Sequence, residues 1–299
     1  MTWSTHVSTD LAGAAFIADL LTRCTFPAPG TRVTCAVSGG PDSTALAVLA
    51  VAAGCHAELV HVDHGLRPES GTEFALVADL AGRLGVVARS IAVTVEHGPN
   101  LEARARAARF AALPSDVLTG HTADDQAETV VLNLLRGSGL DGLAGMRRDR
   151  HPLLGLRRAE THELCRLLGL RTVDDASNDD LVHLRNRVRH DLLPALGDAA
   201  HRDLVPVLVR QADLLRDEAD LLDRLAADID PTDARALQAA PVALARRAVR
   251  RWLTAELGGL PPDAAAVARV LAVAGGEMRA CELPGGHRVD RHRQQLRFH

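Results

Sequence analysis

Apolar positions along this chain follow two rhythms. Over the first 140 residues, short β-branched runs alternate with stretches whose apolar residues recur every three or four positions. Leu11–Leu21 reads as an opening helix, Arg32–Ser38 as a buried strand, and Thr44–Ala53 as a helix packed on a sheet. Ala57–Asp63 gives a second strand, Glu69–Leu84 a helix, and Val86–Val93 a third strand. Leu101–Leu113 is an Ala/Arg helix, Asp116–His121 a fourth strand, and Asp124–Arg136 a further helix. Strands alternating with helices of these lengths predict βαβ units, and so an α/β fold with a doubly wound parallel sheet. In such sheets ligands bind beyond the carboxyl ends of the strands. Polar residues crowd three of those ends: Ser38–Ser43, Asp63–Arg67 and His121–Glu128.

Past residue 140 the rhythm changes. Residues 141–160 are rich in Gly and Arg and read as irregular; a short helix at Thr161–Leu168 and an acidic loop at Asp174–Asp180 follow. Leu184–Leu196, Arg202–Ala227, Val242–Leu257 and Asp263–Ala274 have helical spacing, and Arg279–Phe298 alternates like short strands about a Gly285–Gly286 turn. The expected organisation is a first domain over 1–190 and a smaller, mainly helical second domain over 191–299 that ends in short strands. Charge agrees: the net is −6 over 1–184 and +2 over 185–299.

Composition then removes several function classes. With 299 residues and 47% apolar content, the chain can bury a sizeable core. It contains no lysine at all, so a Walker A loop, a protein-kinase ion pair and Schiff-base chemistry are excluded. Its five cysteines, at 24, 35, 55, 165 and 281, form no C-x-x-C pair and fit neither a disulfide framework nor a zinc knuckle. Residues 1–24 lack the basic and apolar blocks of a signal peptide, and the longest apolar run, Ala45–Gly54, is about half a membrane span. A soluble cytoplasmic protein with no membrane partner is the expectation.

Ser38-Gly39-Gly40-Pro41-Asp42-Ser43 lies between a strand and a helix. Its glycines allow amides to converge on an anion at a helix start; position alone serves equally well for an ordinary turn capped by Asp42 or Ser43. Val62–Arg67 offers Asp63 and His64 to a nucleotide. A metal site from His61, Asp63 and His64 is disfavoured, because adjacent strand residues point to opposite faces. In His121-Thr122-Ala123-Asp124-Asp125-Gln126-Ala127-Glu128, Asp125 and Glu128 share one helical face and suit an ammonium group or a magnesium ion. Thr122 with Asp125 equally makes a capping box. Gly137–Gly142 satisfies G-x-G-x-x-G but follows a helix, so it reads as a helix end rather than a dinucleotide loop. Arg106 and Arg109 share a helix side. Further arginines cluster at 147–158, 185–189 and 246–251, by default solvated, yet together inviting a polyanion.

The hexapeptide Ser38–Ser43 resembles the pyrophosphate-binding loop of the N-type ATP pyrophosphatases, the PP-loop enzymes. With Val62–Arg67, Leu101–Phe110, Gly120–Met146 and, more loosely, Pro152–Leu154, Asp175–Asn178 and Arg185–Pro194, the chain resembles the tRNA(Ile)-lysidine synthase family. That resemblance implies a PP-loop, Rossmann-like catalytic domain and a C-terminal tRNA-binding domain. It implies ATP with Mg2+, free L-lysine, and an isoleucine tRNA with a CAU anticodon as partners, with a homodimer admissible. In the implied ligase reaction, ATP adenylates ring position 2 of the wobble cytidine and the lysine amine displaces AMP. Carried over, Ser38, Gly39, Gly40, Pro41, Asp42 and Ser43 hold the phosphates, with Asp42 near Mg2+ and Asp63, His64 and His121 lining the nucleotide site. Asp125 and Glu128 bind the lysine, and Arg106 sits near the nucleotide or reacting base; Arg185 and Arg189, in a basic cluster, are candidate contacts for the tRNA. The rivals are another PP-loop enzyme, such as a tRNA thiolase or an amidotransferase, and a non-catalytic nucleotide-binding module.

Overall fold

The structure, a computed structural model, describes residues 11–63, 70–93, 104, 108, 111–173 and 184–299. The chain divides into two compact units, Met1–Asp213 and Leu214–His299.

In the first unit, strands β1 (Arg32–Ala36), β2 (His56–Asp63) and β3 (Val87–Ala92) form a parallel sheet in the order β1-β2-β3. Helix α1 (Leu11–Leu21) opens the unit, α2 (Pro41–Ala52) links β1 to β2, and α3 (Ser70–Leu84) links β2 to β3. Helix α2 is buried at every position from Thr44 to Ala50. Its small side chains allow this, since alanine lets a helix lie flat on a sheet while covered from the other side. Leu46, Leu49, Leu59 and Leu80 join Leu153, Leu156 and Leu164 in one apolar core.

The expected fourth strand at Asp116–His121 is reduced to one bridging residue. Leu118 pairs parallel to Cys35, donating to the Thr34 carbonyl (2.8 Å) and accepting from the Ala36 amide (2.9 Å). The next amide, Thr119, points away from β1 and donates to the carbonyl of Arg150 (3.0 Å). Even so, this segment lies on the side of β1 opposite β2. The chain therefore runs outward from β1 to β3 and returns beside β1 on its other edge. The carboxyl ends of β1 and of the Leu118 segment flank the resulting switch point, where open α/β sheets bind ligands.

Helix α4 (Ala123–Leu135) leaves that switch point, followed by a short turn of helix, α5 (Leu140–Leu143). Gly137, at φ +72°, ends α4, with Ser138 donating back to the Asn133 carbonyl (2.9 Å). The G-x-G-x-x-G string is thus a helix terminus. Helix α6 (Arg158–Leu167) begins three residues before the expected start. Helix α7 (Leu184–Arg187) passes through a widened π turn, Val188–Leu192, into α8 (Leu193–Ala200). Pro194 supplies the cause, since its ring clashes with the carbonyl four residues earlier in regular helix.

The second unit begins within α9 (Val205–Ala227) and contains α10 (Ala234–Ala239), α11 (Val242–Glu256), α12 (Ala264–Gly275) and an antiparallel sheet, β4 (Ala280–Glu282), β5 (Arg288–His292) and β6 (Gln295–Phe298). Leu237, Val249, Leu253, Val270, Val289 and Leu296 form its core. The Asp233 and Asp263 carboxylates cap α10 and α12. Among the described residues no helix is long and apolar enough to cross a membrane.

Candidate active site

The loop Ser38–Ser43 stands at the carboxyl end of β1 and runs into α2 with Gly40 as N-cap and Pro41 at the first turn. Pro41 suits that position because its fixed φ is helical and the missing amide would have no helical partner. Gly39 has φ +90°, and its carbonyl accepts from the Val173 amide (2.9 Å). The Ser43 hydroxyl donates to the Gly40 carbonyl (2.9 Å) and accepts from the Ser38 amide (3.2 Å), so it fixes the loop from inside. The Ser38 Oγ lies 3.3 Å away from that of Ser43. An amide-rich turn held open at a helix N-terminus can accept phosphate oxygens.

Gly120 brings the second strand end against this loop. A Cβ at Gly120 would lie 2.5 Å from the Asp42 carbonyl oxygen and 2.9 Å from the Ser43 amide nitrogen. Two backbones therefore touch, and α4 starts directly beside the phosphate loop. Thr122 caps α4 through Asp125, whose Oδ2 accepts from the Thr122 amide (2.8 Å) and hydroxyl (3.0 Å). That leaves Asp125 Oδ1 for other partners.

Those partners are arginines. Arg158, at the start of α6, donates to Asp125 Oδ1 (3.0 Å) and Glu128 Oε1 (3.1 Å), and its Nε lies 3.7 Å from Asp42 Oδ2. Arg185 donates to Glu128 Oε2 (2.7 Å) and Arg189 to Glu128 Oε1 (2.7 Å). The Glu128 side chain is only 1% exposed, whereas those of Arg158, Arg185 and Arg189 are 23%, 32% and 23% exposed. Three carboxylates and three guanidiniums thus make a locally neutral cluster that runs from the phosphate loop to the buried face of α4. Beside it, Asp124 is paired with Arg157 (2.9 Å) and accepts from the Arg158 amide (2.8 Å). A cleft of about 840 Å3 opens against Glu128, Arg158 and Arg189.

Burial alone would raise the pKa of Asp125. Arg158, His121, Arg185 and the Thr122 amide outweigh it and hold the carboxyl at about 2, against an ordinary value of 3.8. A depressed carboxylate pKa adds stability above the unfolded value, and that stability is lost as pH falls through the folded one. The contribution should therefore be complete above about pH 5 and vanish between about pH 4 and 2. Asp125→Asn is expected to flatten that limb of the pH–stability curve, as measured by denaturant melts. An unchanged limb would show that Asp125 is not held ionised by these partners. Asp42 is shifted the opposite way: burial raises it, more than the Thr161 hydroxyl and Arg158 lower it. A cation beside Asp42 would relieve that penalty.

A family model described as a PP-loop domain matches residues 15–196, and one described as the TilS substrate binding domain matches 233–297. A tRNA(Ile)-lysidine synthase of Nocardia farcinica is 42% identical over 254 residues, 79% of this chain and 80% of that protein. The chain belongs to the tRNA(Ile)-lysidine synthase family. The lysidine synthase of Thermobifida fusca is 39% identical over 297 residues, covering 89% of this chain and 91% of its own. Among solved structures, a U34-tRNA thiolase from Methanococcus maripaludis shares the fold, with a TM-score of 0.57 at 17% identity over 72% of this chain and 85% of its own.

Within this lysidine synthase fold, the residues singled out in the sequence fall into three groups. Ser38–Ser43, Asp125, Glu128, Arg185 and Arg189 come together as described. Asp63 closes β2, where its carbonyl accepts from the Val93 amide (2.8 Å). His121 stands between Leu118 and α4; its Nδ1 lies 2.6 Å from the Thr119 hydroxyl, which is also 2.6 Å from Nδ1 of His151. His64 and Arg106 lie outside the described residues, as do Arg67, Arg109 and the whole Asp174–Asp180 loop. His61 is buried, with Nδ1 3.1 Å from the Val37 carbonyl oxygen. Among the described residues no group of three or more His, Cys, Asp or Glu side chains is arranged to hold a metal ion.

Sequence reasoning missed Arg158 and Thr161. It read the arginines at 147–158 as solvated, yet Arg148 pairs with Asp213 (2.7 Å), Arg157 with Asp124 and Arg158 with the site acids. One signal was present. Arginines at a helix N-terminus oppose the helix dipole, so Arg157-Arg158 opening α6 implies that acids from elsewhere hold them there.

Proposed function

We propose that the protein joins free L-lysine to ring position 2 of the wobble cytidine in the CAU-anticodon isoleucine tRNA, using ATP and releasing AMP and pyrophosphate. The observation that supports this best is the proximity of a phosphate-binding loop and a pair of acids, bridged by the single guanidinium of Arg158. Residues 1–190 would carry the catalysis and residues 191–299 the tRNA-binding role.

In this reading the α-, β- and γ-phosphates rest on the amides and hydroxyls of Ser38–Ser43 at the α2 N-terminus, and Asp63 and His121 border the nucleotide. Negative charge builds on the phosphates as pyrophosphate leaves, so converging amides stabilise the transition state more than the ground state. Mg2+ fits Asp42, a hard carboxylate at the loop that burial makes costly to ionise, because magnesium commonly takes one or two carboxylates and completes its shell with phosphates and water. When bound, it would supply charge neutralisation at the pyrophosphate.

Lysine is an extra ammonium entering a neutral cluster. Its side-chain amine needs a carboxylate that exchanges partners, and Asp125 and Glu128 are the acids present. The carboxylate of the amino acid or a phosphate of the RNA would then take a released guanidinium. Arg185 and Arg189, each partly exposed, would meet the tRNA backbone, Arg189 at the edge of the cleft. A carboxylate that binds the ammonium holds the amine in position for attack. An anticodon loop already offers unstacked bases, so the cytidine need not be pulled from a duplex.

The test is pyrophosphate release. With ATP, Mg2+ and lysine, release is expected only when the CAU isoleucine tRNA is present, and is expected to disappear in Asp42→Asn. Release at the same rate with the methionine tRNA of the same anticodon would contradict the substrate assignment.

A further inference from the structure

Arg158 bridges the phosphate loop and the acids of α4. Its anchorage is unusually complete. The backbone amide donates to Asp124 Oδ2 (2.8 Å), and its carbonyl shares the Thr161 hydroxyl (2.7 Å) with Asp42 Oδ1. Its Nη2 is divided between Asp125 (3.0 Å) and Glu128 (3.1 Å), while Nε sits 3.7 Å from Asp42. One cation therefore serves three acids belonging to two half-sites, from a fixed helix terminus.

We infer that Arg158 is a positioning residue that couples nucleotide binding to lysine binding, by withdrawing from Asp125 and Glu128 when phosphates occupy the loop. The inference rests on the lysidine synthase reading of the site. Without nucleotide, Arg158 occupies the oxygens of Asp125 and Glu128 that an ammonium would use, and lysine competes with it. Nucleotide brings negative charge to the loop within the reach of the same guanidinium, whose fork geometry suits phosphate as well as carboxylate. As Arg158 turns toward the phosphates, Asp125 keeps the Thr122 cap and a long bond from Arg185 (3.4 Å), and Glu128 keeps Arg185 and Arg189. Each acid is then left with an oxygen short of one donor, which is what an incoming ammonium requires. Loading of lysine before ATP is disfavoured, and by linkage lysine must tighten ATP by the same factor.

The coupling is read by calorimetric titration of lysine into the full-length protein with its CAU isoleucine tRNA present throughout. Titrations are made with and without magnesium and an ATP analogue carrying a methylene group between the α- and β-phosphates. In the wild type, the analogue is expected to tighten lysine binding by about tenfold, within the 5- to 150-fold common for coupled sites. In Arg158→Gln, lysine affinity is expected to be the same with and without analogue. Arg158→Lys, which keeps the charge but loses the fork, is expected to retain part of the difference. A purely structural role for Arg158 would weaken both titrations together and leave their ratio intact, and that result would overturn the proposal. So would a wild-type protein that binds lysine equally well in both conditions, whatever the variants do. A wild type that binds no lysine in either condition would instead remove the lysidine synthase reading, and the coupling with it.

Discussion

Replacing Glu128 with glutamine is expected to destabilise the first unit by about 3 kcal/mol and to lower its melting temperature by roughly 10 °C. The carboxylate is almost wholly buried and both oxygens are covered by Arg158, Arg185 and Arg189. The glutamine keeps the shape and removes the charge, so three guanidiniums lose a shared counter-ion and one oxygen becomes an amide that donates toward them. Their partial exposure limits the cost to the low end of what breaking a buried pair usually brings. Lysine transfer should fall by about a thousandfold at the same time, since the variant loses both an ammonium ligand and the alignment of Arg158. Thermal melts and single-turnover transfer, measured on one preparation, separate the two effects. A variant that melts like the wild type would show that the arginines are not held by Glu128.

Gly120→Ala is expected to weaken binding of the methylene ATP analogue by about a hundredfold and to cost roughly 2 kcal/mol of stability. The new methyl would lie 2.5 Å from the Asp42 carbonyl oxygen, 2.7 Å from its carbon and 2.9 Å from the Ser43 nitrogen. All three are backbone atoms in the first turn of α2, where no side chain can rotate away. Relief must come from moving the phosphate loop or the start of α4, and either separates the groups that have to meet. Gly139→Ala is the matched control, since nothing lies within 4 Å of the added carbon and its φ of −80° is ordinary for alanine. Equal analogue affinity in the two variants would show that the contact between the two strand ends does not set the loop.

Much of the catalytic unit is legible in the sequence because it rests on local rules. The first three strands and α1 to α4 follow from apolar periodicity to within a few residues at each end. The Ser38–Ser43 turn follows from its glycines between a strand and a helix, and the Thr122–Asp125 cap from spacing. The failures share a physical cause. Leu118 reads as part of a strand, but its pairing shrinks to a single bridge with Cys35, a partner far away in the chain. Helix α10 has six residues, too few turns to display a period. Arg158 looks like one more surface arginine, since only the folded chain brings Asp42, Asp125 and Glu128 around it. Arg185 and Arg189 read as tRNA contacts because they sit in a basic cluster, and nothing local reveals that both reach Glu128. Spacing can place residues on one face of a helix, but it cannot say what that face meets.

The most direct measurement is incorporation of radiolabelled lysine. Purified protein, ATP and Mg2+ are incubated with the CAU isoleucine tRNA transcript, with the methionine tRNA as control and Asp125→Ala in parallel. Label on the isoleucine tRNA alone, lost in Asp125→Ala, is the predicted result. ATP cleaved to AMP and pyrophosphate with no label on the RNA would retain the phosphate loop but contradict lysine as the nucleophile held by Asp125 and Glu128.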